Sequence, residues 1–143
     1  MRTSILVPMV IGCSLMLLAA CSPPSAVNHP VLGTWTMTSK DGACSETYRF
    51  RPDGTVFVTS GDEVAEIRYE ISASPGRSGF YRWTHKIEKD NGKSDCSGKV
   101  MKPGDGATWY IQFDQSQQRM IVCNAESTNA CFGPLQRTHG SDS

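Results

Sequence analysis

Apolar and polar residues alternate along most of this chain, and the alternation predicts short β-strands. From Phe80 to Glu88, the odd-numbered positions are aromatic or aliphatic except for His85, while the even-numbered positions after Phe80 are polar. Turn sequences separate such segments; in Pro52-Asp53-Gly54, Pro presets φ, Asp caps the turn and Gly takes a positive φ. The predicted strands cover residues 31–37, 48–51, 55–60, 67–71, 80–88, 97–101, 109–113, 120–123 and 131–137. Eight or nine short antiparallel strands, depending on 97–101, imply a closed barrel or a β-sandwich.

The first thirty residues have a different pattern, which is typical of an exported protein. Arg2 precedes an apolar run from Ile5 to Leu18, which is too short and interrupted to span a membrane but has the length of a signal-peptide core. Leu18-Ala19-Ala20-Cys21 resembles the lipobox of bacterial lipoproteins. The resemblance implies that residues 1–20 are a signal peptide that is removed, and that Cys21 becomes an N-terminus carrying diacylglycerol and an acyl chain such as palmitate. The alternative is an ordinary signal peptide cut after Ala20.

The residues after Cys21 predict where the protein is held and where its folded part begins. Ser22, rather than Asp, follows the lipidated position, which resembles the sorting pattern of lipoproteins sent to the outer membrane. The predicted location is therefore the cell envelope, facing the periplasm. Residues 21–30 are polar and contain three prolines, which predicts an extended tether in which His29 has no role. Residues 31–138 are predicted to form one β domain, and residues 139–143 a disordered tail.

The six cysteines become interpretable once the signal peptide is recognised. One leaves with the signal peptide and Cys21 takes the lipid, so four remain in the exported domain: Cys44, Cys96, Cys123 and Cys131. An even number in an oxidising compartment implies two disulfides, with three possible connectivities. We favour Cys123–Cys131, because these two residues flank a polar loop between two predicted strands. The remaining pair is then Cys44–Cys96.

Charge and motif content exclude several classes of function. The chain has 14 Lys and Arg residues against 14 Asp and Glu residues, and Arg2 lies in the signal peptide, so the mature net charge is near −1. This charge leaves no basic surface for nucleic acid. The sequence contains no CxxC motif, no glycine-rich phosphate loop and no suggestive arrangement of Ser, His and Asp. We predict a protein that is not an enzyme and that uses no metal or cofactor.

The ends of the predicted domain resemble the lipocalin-like (calycin) barrels. Gly33-Thr34-Trp35 resembles the G-x-W signature of that family, and the hairpin from Tyr48 to Val58 resembles its second and third strands. The T-D-Y motif and the helix after the eighth strand are absent. The resemblance implies an all-β fold, a small antiparallel up-and-down barrel of about eight strands, here with two disulfides. It also implies that Trp35 plugs one end of the barrel and that Arg137 packs across its ring.

Aromatic residues supply the candidate binding positions. Tyr81, Trp83 and His85 share one face of a predicted strand, and Trp109 belongs to the next regular one. We take these four as possible contacts to a ligand or partner. The alternative is that the tryptophans fill a small barrel and that His85 is a hydrogen-bonded core residue.

Two functions are consistent with these positions. In one, the lumen holds a small apolar ligand. In the other, the lumen is packed and loops bind an envelope protein, as in an inhibitor or immunity-type protein that blocks an enzyme; Phe80-Tyr81 would then be an exposed contact. Asp62-Glu63 is interpreted as a solvated turn. A connected cavity of several hundred cubic ångströms would favour the first function.

Overall fold

The computed structural model describes residues 28–138, and these residues form an all-β domain. Eight antiparallel strands are each paired with the next, and β8 pairs with β1, so that the sheet closes into a barrel. The strands are β1 (Gly33–Thr38), β2 (Ser45–Phe50), β3 (Thr55–Ser60), β4 (Glu63–Ile71), β5 (Tyr81–Asp90), β6 (Gly106–Phe113), β7 (Arg119–Cys123) and β8 (Cys131–Thr138). The predicted small up-and-down barrel is confirmed.

The alternation along β4 shows why this sequence closes around one core. Every second residue from Glu63 to Tyr69 is buried, whereas Val64, Arg68 and Glu70 are exposed. A similar alternation is seen along β5, and the inward residues of the strands share one core. Burial of this apolar surface is the main stabilising contribution, at about 25 cal/mol per Å².

Several strand limits differ from the sequence prediction, and two of these differences affect the interior of the barrel. Residues 97–101 are not a strand; they lie in the connection 91–105 between β5 and β6, where the structure has only an isolated bridge between Ser94 and Val100. In addition, β4 begins at Glu63 and not at Ile67, because Gly61 has a φ of 60° and reverses the chain at once. This earlier start places Glu63 on the inward side of the barrel, and its interpretation as a solvated turn residue is wrong.

Trp35 and Arg137 seal one end of the barrel, which we call the closed end. Trp35 is fully buried, and its indole N–H donates to the Val31 carbonyl at 2.7 Å. The Arg137 guanidinium lies 4.2 Å from the centroid of the Trp35 ring and donates to the carbonyls of Leu32 and Pro30. The contact joins the chain that enters β1 to the end of β8, with a cation–π interaction reinforced by hydrogen bonds. Both side chains thus lie where the sequence predicts them.

The other end, which we call the open end, carries both disulfides. Four connections meet there: residues 39–44, 61–62, 91–105 and 124–130. Cys44–Cys96 joins the first of these connections to the third, and Cys123–Cys131 spans the base of the fourth. Both predicted pairings are confirmed.

His29 packs on the barrel, so the prediction that it has no role is wrong. Its ring meets Tyr81 edge-on, with 4.9 Å between the ring centroids. Its Nδ1 accepts a hydrogen bond from the Val31 N–H, which leaves Nε2 to donate to the Ser72 carbonyl at 3.1 Å. Burial lowers the pKa of His29, and the bond to Ser72 opposes that shift. The packed part of the chain therefore includes His29, two residues before the predicted start of the domain.

Candidate functional site

The half of the barrel interior nearest the open end is hollow. Its cavity has a volume of about 360 Å³, and small-molecule sites are typically about 300–1,000 Å³. Seven of the eight strands, all except β7, contribute to its walls together with the β5–β6 connection. Toward the closed end the interior is filled, because Phe113 packs against both Trp35 and Tyr81 with ring centroids 5.6 and 5.5 Å apart. The cavity is therefore a pocket with its entrance at the open end.

Aromatic rings form the floor and one wall of this cavity. Trp83 is buried at the floor, where its ring lies 5.4 Å from that of Phe50 on the packed side. Trp109 meets Phe132 edge-on at 6.0 Å, and Tyr48 lies 6.4 Å from Phe132. Aliphatic side chains complete the apolar lining: Met37, Val58, Ile67, Ile87 and Met101.

Two buried polar atoms on residues that line the cavity have no hydrogen-bond partner among residues 28–138: Trp83 Nε1 and His85 Nδ1. The two rings are adjacent, with centroids 5.0 Å apart. Burial lowers the pKa of His85, so its imidazole is neutral at pH 7. A buried indole N–H without an acceptor costs free energy, and an acceptor on a bound molecule would recover it.

Glycine at position 106 allows β6 to approach β5 next to His85. A Cβ at Gly106 would lie 2.6 Å from the His85 carbonyl oxygen, closer than two such atoms can come. The two strands pair so that Trp83 stands opposite Trp109, and both tryptophans enter the cavity. The local sequence thus fixes the position of the aromatic floor.

The rim of the cavity carries three carboxyl groups from separate elements: Glu46 on β2, Glu63 on β4 and Asp95 on the β5–β6 connection. Glu46 is held by two hydroxyl groups, with Tyr48 donating at 2.8 Å and Ser60 at 2.9 Å. Ser60 Oγ in turn accepts from the Cys96 N–H at 3.0 Å. This chain of hydrogen bonds ties the carboxylate at the rim to the disulfide that crosses above it.

Glu63 is the most strongly perturbed acid of the rim. Burial, reinforced by the negative charges of Asp90, Asp95 and Glu46, raises its pKa to about 7. The neighbouring Asp90 has a buried Oδ2 with no hydrogen-bond partner among the described residues. A proton on Glu63 supplies the donor that this oxygen lacks, which also favours the neutral form of Glu63.

The β5–β6 connection covers part of the entrance. Asp95 Oδ1 accepts hydrogen bonds from the backbone N–H groups of Ser97 and Lys99, both at 2.8 Å, and this fixes a tight turn. The disulfide from Cys96 to Cys44 holds that turn against the β1–β2 connection. Lys99 is the one basic residue among the cavity-lining residues that the structure describes.

The structure brings together three of the four predicted contact residues. Trp83, His85 and Trp109 line the cavity, whereas Tyr81 packs against His29 and Phe113 on the filled side and does not reach it. Phe80 is buried and is not the exposed contact that its position after a turn predicts. Cys21 and the predicted tail lie outside the described residues.

Sequence reasoning missed the acidic rim. Glu46 has the same parity as Tyr48 and Phe50, and Glu63 has the same parity as Ile67 and Tyr69. Extending each alternation outward to the ends of the strands would have placed both carboxyl groups inside. Asp95 has no such signal, because it lies in an irregular connection.

Other parts of residues 28–138 offer less for a ligand. A groove of about 530 Å³ runs outside the closed end, where it is bordered by the exposed side chains of Arg49, Arg51 and Asp53. It lies on the outer surface and has no aromatic enclosure of the kind seen in the lumen. Within the described residues, no three His, Cys, Asp or Glu side chains are grouped so as to hold a metal ion.

Comparison with known proteins leaves the site to be interpreted from its own geometry. No protein-family model, curated protein or solved structure matches this chain. Nowhere in residues 28–138 is there a helix with the length and hydrophobicity needed to cross a membrane.

Proposed function

We propose that this protein is a lipid-anchored lipoprotein of the cell envelope whose barrel is a non-catalytic binding domain for a small, largely apolar ligand. The observation that carries the proposal is the cavity of about 360 Å³ inside the barrel, sealed at one end by Trp35 and Arg137. A filled interior would have left only the outer surface for recognition.

The walls of the cavity support this function. Its lining is mostly aromatic and aliphatic, with a few polar groups at the floor and rim, which is the usual composition of a small-molecule site. Because Trp83 Nε1 and His85 Nδ1 have no partner among residues 28–138, a ligand has polar atoms to satisfy as well as surface to bury.

The anchor and the location rest on sequence features. The lipobox-like Leu18-Ala19-Ala20-Cys21 and the following Ser22 support lipidation and placement at the outer membrane facing the periplasm. The two disulfides are consistent with an oxidising compartment. The alternative role, in which an exposed Phe80-Tyr81 pair blocks an enzyme, loses its principal contact because Phe80 is buried.

Native mass spectrometry of the full-length protein isolated from its own membranes tests the proposal. We expect a reproducible small-molecule adduct that disappears when the cavity is filled by Met37→Trp or by Val58→Phe, on two different walls. Val64→Phe adds a ring at an exposed position on β4 and serves as the control. A stoichiometric protein partner in place of the adduct, or an adduct retained by both filled variants, would contradict a ligand site in the lumen.

A further inference from the structure

The chemistry of the cavity also indicates what kind of molecule it holds, given the ligand-binding function proposed above. Two features are independent of each other: an apolar floor with an unpartnered N–H donor, and a rim of carboxyl groups. A ligand that contacts only the apolar floor leaves the repulsion between the rim carboxylates in place. A ligand that contacts only the rim leaves the aromatic side chains of the floor exposed to water. We therefore expect a ligand with an apolar part for the floor and a charged group for the rim.

The rim has an excess of negative charge. Glu46, Glu63 and Asp95 reach it from three elements that are far apart in sequence, and Lys99 is the single basic side chain beside them among the described residues. None of the three carboxyl groups forms an ion pair within residues 28–138, where the salt bridges lie on the outside of the barrel. Carboxylates gathered at a partly buried site repel one another, and a cation among them relieves that repulsion.

Glu46 and Glu63 are arranged differently toward such a cation. Tyr48 and Ser60 each donate a hydrogen bond to one oxygen of Glu46, so both oxygens of this group act as acceptors and its position is fixed. Glu63 is 5% exposed, and its carboxyl group faces the Asp90 carboxyl group, with which it can share a proton. An ammonium group can take the place of that shared proton between the two carboxylates, so Glu63 is the carboxyl group most able to form a new charge-assisted hydrogen bond.

The floor supplies the second observation. Trp83 is 3% exposed, lines the cavity, and its indole N–H has no acceptor among residues 28–138. Next to it, burial lowers the pKa of His85, so that no positive charge on this imidazole opposes a bound cation at neutral pH. The floor therefore matches an apolar ring, and an oxygen acceptor on that ring would satisfy the indole N–H once the Trp83 side chain shifts to expose it to the cavity.

We infer that the cavity binds a small organic cation, a protonated primary amine on an apolar body of about one ring, with the ammonium at Glu63 and a hydrogen-bond acceptor near Trp83. A ring of this size fits a volume of about 360 Å³. The ammonium stays at the rim near water, so that it is not fully desolvated.

Three probes that differ in one group test this inference on the full-length protein. Tyramine is a cation, tyrosol is its neutral counterpart with a hydroxyl in place of the ammonium, and 4-hydroxyphenylacetate is an anion. We expect calorimetric affinities at pH 7.5 and low salt to fall in that order, with tyramine at least about tenfold tighter than tyrosol because a charge-assisted hydrogen bond replaces a neutral one.

Matched variants then identify which carboxyl group causes the preference for the cation. Glu63→Gln keeps the shape of the side chain and should bring tyramine to within about threefold of tyrosol. Glu70→Gln removes a carboxylate from the exposed face of the same strand and should leave the preference unchanged. Asp95→Asn, on a different element, should weaken the preference as well and covers the case in which Glu63→Gln does not fold.

The possible failures are distinguishable. If tyrosol binds as tightly as tyramine, or if Glu63→Gln and Asp95→Asn both keep the full preference, the cation inference is wrong while binding in the lumen stands. If none of the probes binds but a native adduct is lost in Met37→Trp, the inference is again wrong and the proposed function stands. If no probe binds and no adduct exists, both are wrong.

Discussion

Among single residues, Glu63 couples the cavity most directly to pH. Its pKa is about 7 in the folded protein, against about 4.3 in an unfolded chain. A carboxyl group whose pKa is raised on folding holds its proton more tightly in the folded state. The stability associated with Glu63 is therefore fully present below about pH 4.3 and is lost as the pH rises through about 7.

We expect Glu63→Gln to raise the free energy of unfolding by about 1–2 kcal/mol at pH 8 and to change it little at pH 4. The full pKa difference would correspond to more, but Glu63 borders a cavity that is open to water, and this water screens its charge although the residue itself is only 5% exposed. Urea denaturation with the disulfides intact, at both pH values, measures the effect.

The quantity to compare is the difference in unfolding free energy between variant and wild type, because the two histidines change the stability of both proteins with pH in the opposite direction. Burial lowers the pKa values of His85 and His29, so their contribution is present above about pH 6.5 and is lost as the pH falls. Glu70→Gln, on the exposed face of β4, should show no pH-dependent difference. A Glu63→Gln protein that is less stable than wild type at pH 8 would contradict the assignment.

Polar residues were the hardest to place from the sequence. Trp35 and Arg137 could be assigned because a motif marks them, but Glu46 and Glu63 were not recognised as inward-facing. A carboxyl group is expected at the surface, because transferring it out of water costs several kcal/mol. A carboxyl group faces inward mainly where the interior contains a cavity that solvent can reach. The alternation of apolar and polar residues along the sequence does not reveal such a cavity.

Among the structural elements, the β5–β6 connection depends most on a covalent bond. Its turn around Asp95 is joined to the β1–β2 connection by Cys44–Cys96, a pair separated by 52 residues, whereas Cys123 and Cys131 are separated by 8. A crosslink stabilises by restricting the unfolded chain, and the restriction grows with the length of the closed loop.

We expect the double variant Cys44→Ser, Cys96→Ser to lose about 4 kcal/mol of stability, and Cys123→Ser, Cys131→Ser to lose about 2.5 kcal/mol. Chemical denaturation of the two double variants gives the comparison directly. The first variant should also release the native ligand faster, since the connection at the entrance is no longer fastened. Equal losses of stability, or a larger loss in the second variant, would contradict this account.

The strands were predictable where the alternation is long, as in β5, and less so where it is short. Residues 97–101 alternate only weakly, and among the described residues their one β-bridge joins Val100 to Ser94 within the same connection. The disulfide pairing itself was predictable because the loop between Cys123 and Cys131 is short and lies between two strands.

For the whole molecule, the anchor proposed at Cys21 makes a separate prediction. Cys21→Ala should abolish lipidation and move the protein from the membrane to the soluble fraction, because the lipobox cysteine is the acylated residue. Intact-mass measurement together with membrane fractionation tests this. Cys13→Ala, a substitution within the predicted signal peptide, should leave lipidation unchanged. A wild-type protein with a free thiol at Cys21 would exclude the anchor.

The two ends of the barrel differ in one further respect, which is where the chain enters. Asn28 to Leu32 approach β1 at the end sealed by Trp35 and Arg137. Under the proposed anchor, the link from Cys21 to Asn28 can extend at most about 25 Å, which holds the sealed end within that distance of the bilayer. In a barrel that stands upright on this tether, the mouth is on the side away from the lipid. A protein held in that orientation would collect its cargo from the aqueous compartment.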